Sequence, residues 1–281
     1  MSYRTVLVHC NDRRRIKRLV EAAGEVASRF NAHLIGLSIS PPVFVFPGGM
    51  PGTPDTIVID ERRQAYHKDN PDLRSAFLEA AAHRQTVVSE WRELEADRAS
   101  VSEVALEHAR SADLVIVSQA DPAWSGSAYL DATEVLVMGS GRPTLVVPNE
   151  GLSSGIGSRV LVAWNDTREA ARAVFDALPL IKAASAVKVV RIEAQEAADE
   201  IGQAAADICE TLQRHGVKCP ATEKVSVGGD VGQALTQQAL SHRADLMVMG
   251  CYGHWRLREL LFGGASRYQL RHMTIPVLMS H

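Results

Sequence analysis

"RVLVAWNDTREAARAVFDAL", Arg159 to Leu178, joins two different hydrophobic periodicities. Its opening, Val160 to Trp164, is a short apolar run of the kind that forms a strand buried on both faces of a parallel sheet. From Thr167 to Ile181 the pattern changes. Ala170, Val174, Ala177, Leu178 and Ile181 recur at helical spacing on one face, so a helix follows the strand after a turn at Asn165-Asp166.

Working outward, the same alternation continues. "AVKVVRI" is a second strand, and Glu196 to His215 reads as a helix closed by Gly216. "VKCPATEKVSV" is a third strand. Asp230 is placed to cap a helix over Val231 to His242, because its carboxylate accepts from free first-turn amides. "ADLMVMG" is a fourth strand, Trp255 to Phe262 starts the last helical region, and "IPVLMS" is a fifth strand. Strands joined by helices of this length make right-handed crossovers in a parallel sheet covered on both faces.

The plan occurs twice. "TVLVHCNDRRR" at Thr5 to Arg15 aligns with "RVLVAWNDTRE" at Arg159 to Glu169, "SADLVIVS" at Ser111 to Ser118 with "RADLMVMG" at Arg243 to Gly250, and "GRPTLVVP" at Gly141 to Pro148 with "TIPVLMSH" at Thr274 to His281. Val20, Ala23, Ala27 and Phe30 mark the first helix of the first copy. The fold class is therefore α/β, with two tandem domains, each an open five-stranded parallel sheet flanked by helices: residues 1–150 and 156–281. "NEGLSSGIGS", Asn149 to Ser158, is a flexible Gly/Ser linker between them. The first copy carries about 22 extra residues, assigned to a Pro/Gly-rich loop at Pro41 to Val58.

Composition excludes several function classes. In 281 residues, 46% hydrophobic and 22% charged, the net charge is -3, which gives no electrostatic reason to expect nucleic acid. No apolar run approaches eighteen residues, so no membrane partner is expected. Cys10, Cys209, Cys219 and Cys251 lack the spacing of a zinc site or a disulfide framework, and a reduced, cytoplasmic protein is the expectation. The ten histidines show no metal-ligand spacing. "VGGDVG", Val227 to Gly232, lacks the order of a dinucleotide fingerprint and reads as a strand-to-helix turn. His9 and Cys10 are adjacent in a strand and so point to opposite faces, which argues against their pairing as a nucleophile and base. No catalytic constellation emerges.

Chemistry concentrates in "MGCYGHWRLRELLFGGAS", Met249 to Ser266. Ligands of open α/β sheets bind beyond the carboxyl ends of the strands, at the switch in strand order, and Gly250 ends the fourth strand. Glycine there lets backbone approach a ligand or take a positive φ. Gly253, Gly263 and Gly264 extend that permission to a helix start, whose free amides and dipole attract an anion. Ser266 adds a hydroxyl, and His254 stands beside this phosphate cradle.

The pattern Gly250-x2-Gly253-x9-Gly263, followed by Ser266 and "LRHMTIPVLM", resembles the ATP-binding signature of the universal stress proteins, and "VLVAWNDTREAARAVFDAL" resembles their first strand and helix. The resemblance implies a Rossmann-like fold of the adenine nucleotide alpha hydrolase type. It also implies a non-catalytic or weakly catalytic stress-response protein that binds ATP or a related adenine nucleotide, with or without Mg2+. Gly250, Gly253, Gly263 and Ser266 match the positions that hold phosphates and ribose. The Ser or Thr that normally follows the third glycine is Gly264, and the acidic residue that contacts adenine is Asn165, with Asp166 one place on. In the first copy, Ser118, Asp121, Leu130 and Asp131 replace the corresponding residues. Two acids and a leucine there imply a lost anion site. The resemblance further implies that "TLVV" pairs with "VLMS" within the chain, and it leaves a homodimer open. The competing reading is a nucleotide-independent interaction protein that uses the loop Pro41 to Pro54 as its partner surface.

Overall fold

The computed structural model describes residues 2–41, 54–84, 88–96, 100–124, 126–150, 155–194, 204–219, 222–227, 229–251 and 264–281. The chain divides into two compact units, Arg4–Leu136 and Val137–His281, the second also holding Met1–Tyr3.

The N-terminal unit contains β1 (Thr5–His9), α1 (Ile16–Phe30), β2 (His33–Ser40), α2 (Pro54–Ala82), β3 (Ser89–Glu95), α3 (Val101–Ala109), β4 (Leu114–Ser118) and α4 (Ser127–Leu130), and α5 (Thr133–Gly139) leads out of it. Its strands lie in the order β3-β2-β1-β4, all parallel. Helix α1 buries Leu19, Val20, Ala23, Val26 and Ala27 and ends on Asn31, whose left-handed φ of 49° returns amides to the last turn. Ser100 and Glu103 form a reciprocal capping box on α3. The expected loop over Pro41 to Val58 is shorter than assigned: Pro54 to Val58 belong to α2, a helix of 29 residues. A proline fits a first helical turn, where its missing N–H has no partner to lose. Residues 42–53 of that loop lie outside the described residues.

The C-terminal unit contains β5 (Thr144–Val147), β6 (Arg159–Ala163), α6 (Arg168–Asp176), α7 (Leu178–Ala183), β7 (Ala186–Ala194), α8 (Ala204–Arg214), β8 (Thr222–Val227), α9 (Val231–His242), β9 (Leu246–Gly250), α10 (Gly264–His272) and β10 (Val277–Ser280). The strand order is β5-β10-β9-β6-β7-β8. All pairs are parallel except β5 with β10, where Val146 faces Val277 and Leu145 faces Leu278. Strand β5, which the repeat assigns to the first copy, thus packs in the second unit.

Between β6 and β9 the chain switches from one side of the sheet to the other. Val160, Leu161, Val162, Leu246 and Val248 are completely buried there, each contributing about 1.5–3 kcal/mol of hydrophobic stabilisation. The single helix expected over Thr167 to Ile181 is two, broken at Ala177. Pro179 has no N–H to continue the ladder, so α7 restarts around it.

Candidate nucleotide site in the C-terminal unit

Strand β6 ends in Ala163, Trp164 and Asn165. Thr167 then caps α6, its hydroxyl accepting from the Ala170 amide at 3.3 Å. The same hydroxyl donates to Asn165 Oδ1 at 2.9 Å. Asp166 takes a left-handed φ of 58°, a conformation Asp tolerates better than most residues. Its carboxylate accepts from Trp164 Nε1 at 2.6 Å and pairs with the Arg191 guanidinium from β7. Indole, carboxylate and guanidinium form one braced group at the strand end.

Across the switch, β9 ends at Gly250. A Cβ there would stand 2.5 Å from the Ala170 backbone nitrogen and 2.6 Å from the Glu169 carbonyl carbon. Gly250 has no positive φ. Its bareness therefore serves the close seating of the α6 N-terminus on β9, and not, as the sequence suggested, ligand approach or an unusual backbone angle.

The elements enclose a cleft of about 390 Å³ at the carboxyl ends of β6, β7 and β9. Ala163, Trp164 and Asn165 line it from β6, Val190 and Ile192 from β7, and Met249 and Gly250 from β9. Asp230, Val231 and Leu235 form the α9 side, and Gly264 and Ala265 the start of α10. Asp230 caps α9, accepting from the Gln233 amide at 2.9 Å as its position predicts. The wall is largely apolar, with Asn165 and Asp230 as its polar side chains. Among the described residues, a Cβ on Gly264 would meet nothing within 4 Å. The first amides of a helix have no intrahelical partner and lie at the positive end of its dipole.

Of the sequence-selected residues, Asn165, Gly250 and Gly264 are brought together on this cleft. Asp166 is not on its lining; its carboxylate is committed to Trp164 and Arg191. Ser266 is fully buried, not on the lining, and its hydroxyl oxygen has no hydrogen-bond partner among the described residues. Next to Ala265 on α10, it points to a different side of the helix, into the interior. Gly253, His254 and Gly263 lie outside the described residues, as does the helical start at Trp255 to Phe262.

Sequence reading missed Trp164, Val190, Ile192 and Leu235 as lining residues. Trp164 was visible as a large aromatic at a strand end. Val190 and Ile192 read only as strand residues, because nothing local says which strand adjoins β6. Helix α10 is set against α9 by buried Gln269, which donates to the Gly232 carbonyl at 2.8 Å and Thr236 Oγ1 at 3.1 Å. A Cβ on Gly232 would lie 2.4 Å from Tyr268 Cβ, so that glycine is a packing requirement.

The corresponding strand ends of the N-terminal unit are built differently. Asn11 is bound to β2 through both amide groups, Nδ2 to the Ile39 carbonyl at 2.9 Å and Oδ1 to the Ile39 amide at 3.2 Å. Asp12 is ion-paired with Arg15 and with Arg14, the latter at 3.3 Å. Arg15 also donates to the Gln119 carbonyl just beyond β4, so it bridges the ends of β1 and β4. Arg14 pairs with Asp121 at 3.3 Å, and both guanidiniums lie over the Trp124 ring, 5.3 and 5.0 Å from its centroid. The unit's own cations and indole thus meet at these strand ends. Repulsion by Asp121, which the sequence invoked, does not operate freely, since Arg14 neutralises it. His9 is buried and its pKa is lowered to about 4 by that burial, while burial pushes the Cys10 thiol up. Neither is in a form suited to proton transfer or nucleophilic attack near neutral pH.

Among the described residues no helix is long and apolar enough to cross a membrane, and no group of three or more His, Cys, Asp or Glu is placed to hold a metal ion.

Residues 158–281 match the universal stress protein family. Over its whole length the chain is similar in structure to a universal stress protein from Archaeoglobus fulgidus, with a TM-score of 0.72, 16% identity, and coverage of 100% of this chain and 96% of that one. It is also similar to a functionally unknown protein from Pseudomonas aeruginosa, with a TM-score of 0.59, 15% identity, and coverage of 99% and 92%. At such identities the likeness is one of fold. No curated protein matches the sequence. Residues 158–281 therefore carry a universal stress protein family domain.

Proposed function

We propose that the C-terminal unit binds a nucleoside phosphate, ATP in the first instance, and that the protein acts in a stress response as a non-catalytic or weakly catalytic binder. The observation that carries this reading is the open cleft at the β6/β9 switch, bordered by Asn165, Gly250 and the start of α10. Val190, Ile192, Leu235 and the Trp164 indole would take the base by apolar contact. The bare Gly264 would let phosphate oxygens reach the first amides of α10, where the dipole favours negative charge. Gly253 and Gly263, which complete the signature in the sequence, would extend that contact. The protein offers no acidic cluster of its own among the described residues, so Mg2+ enters this reading as the companion of the phosphates.

Calorimetry of the full chain with ATP tests the proposal. Saturable binding is expected, and Ala265→Trp, which places an indole in the cleft mouth, is expected to remove it. No detectable heat at millimolar ATP overturns the nucleotide reading and returns the question to a partner surface near Pro41 to Pro54. ADP released above background on prolonged incubation with the full chain would move the protein from binder to slow hydrolase.

A further inference from the structure

We infer that Cys209 and Cys219 form a redox couple in the C-terminal unit, two thiols that a small peroxide oxidises to a disulfide and a thiol reductant restores. Local spacing does not announce the pair, since Cys209 lies within α8 and Cys219 beyond its end. The fold brings them together. Helix α8 buries Cys209 along with Ile208 and Leu212. Gly216, with a left-handed φ of 83°, then turns the chain back, and the Val217 amide donates to the Leu212 carbonyl at 3.0 Å. Gln213, one helical turn after Cys209, donates its Nε2 to the Cys219 carbonyl at 2.6 Å. Residue 219 is thereby held against α8, and the two thiols hydrogen-bond to each other.

Both residues are buried, 3% and 2% exposed, and both are free thiols. A disulfide forms only where two sulfurs can meet without moving the backbone, and this turn meets that condition. The other cysteines point elsewhere: the Cys10 thiol donates to the Val8 carbonyl at 3.5 Å, and the Cys251 thiol lies 3.6 Å from the Met138 sulfur. The hydrogen bond with Cys209 and burial both push the Cys219 thiol up, so the reduced pair reacts slowly near neutral pH. In the first step one sulfur attacks a peroxide oxygen and the O–O bond breaks. The departing hydroxide takes the thiol proton, which leaves a sulfenic acid and water. The second sulfur then attacks the sulfenyl sulfur. An S–S bond forms, the S–O bond breaks, and hydroxide leaves with the second thiol proton as water. Two electrons have passed from sulfur to peroxide. Because the second thiol is already in contact, closure outruns further oxidation of the sulfenic acid.

Overnight treatment of the full folded chain with millimolar hydrogen peroxide, followed by unfolding, alkylation and mass spectrometry, tests the couple. The expected product is two hydrogens lighter, joins the Cys209 and Cys219 peptides, and leaves Cys10 and Cys251 to be alkylated. Dithiothreitol is expected to restore alkylation at all four cysteines. Cys209→Ser and Cys219→Ser, each with a melting curve like the parent's, are expected to lose that product. Four alkylated cysteines after peroxide, a link through Cys10 or Cys251, a bond between two chains, or oxygen added to a single sulfur of the parent overturns the inference. So does either serine variant that still loses two hydrogens.

Discussion

The two copies share strands, turns and an Asn-Asp pair, yet one switch point borders a cleft and the other is bridged by the chain's own arginines. Aligned on Asn11-Asp12 and Asn165-Asp166, His9 corresponds to Ala163, Cys10 to Trp164 and Arg15 to Glu169. In the C-terminal unit the small Ala163 leaves room on the cleft floor, and Arg191 reaches Asp166 from the neighbouring strand without crossing the cleft lining. In the N-terminal unit the buried His9 occupies the strand end, while Arg15 spans from Asp12 to the Gln119 carbonyl under the Trp124 ring. Two copies of one strand-and-turn pattern thus differ in how their own charged side chains close on one another at the strand ends.

The largest effect expected on this contrast comes from closing the open side. Ala265→Trp should weaken ATP binding by more than about a hundredfold, about 2.7 kcal/mol, while the denaturation midpoint stays within about 0.5 kcal/mol of the parent because the position borders open space. Retained binding would mean that the cleft is not the site. Gly250→Val forces a side chain into the Ala170 and Glu169 backbone and should cost about 3 kcal/mol in urea unfolding. A neutral result would show that α6 shifts freely on β9.

On the filled side, His9 supplies a pH test. Its folded pKa, about 4, lies below the unfolded value near 6.5 because burial disfavours the imidazolium. The unfolded chain therefore binds the proton first. The contribution is complete above about pH 6.5 and is lost as pH falls toward 4, by roughly 3 kcal/mol. Urea midpoints at pH 7 and pH 4.5 should diverge for the parent and much less for His9→Gln. Equal slopes would show that His9 is accessible to solvent. Arg15→Ala leaves buried Asp12 with Arg14 alone as its ion-pair partner, and should cost about 2 kcal/mol without conferring a second ATP site. Two equivalents of ATP bound by that variant would show that the plug alone had closed the first copy. The smallest change is Gly264→Ser, for which the space is open. It should tighten ATP binding about fivefold through one added hydroxyl; no gain would place the phosphates elsewhere.

Much of this architecture was legible from local rules. The apolar run at Val160 to Ala163, the helical spacing of Ala170 and Val174, and the Asp230 cap each depend on nearest neighbours in sequence, and each stands in the structure where the pattern put it, whereas the helix breaks at Ala177. The repeat located the switch point, because duplicated strand ends must occupy equivalent places in two copies. What local rules could not reach was identity across strands. The partner of Asp166 is Arg191, 25 residues on. The reason for Gly250 is a helix turn seated above it, and Ser266 faces the interior because α10 is rotated by its grip on Gly232 and Thr236.

The sequence alone thus sets the order of strands and helices, their duplication, and the run of glycines around the end of the fourth strand of the second copy. Periodicity, capping and glycine content are short-range properties, and a chain displays them before it folds. The folded arrangement settles which strands meet around the cleft of the C-terminal unit and which carboxylate is already spent on an arginine. Those outcomes depend on which side chains arrive from distant strands and on the direction of hydrogen bonds they close, and no spacing along the chain encodes that geometry.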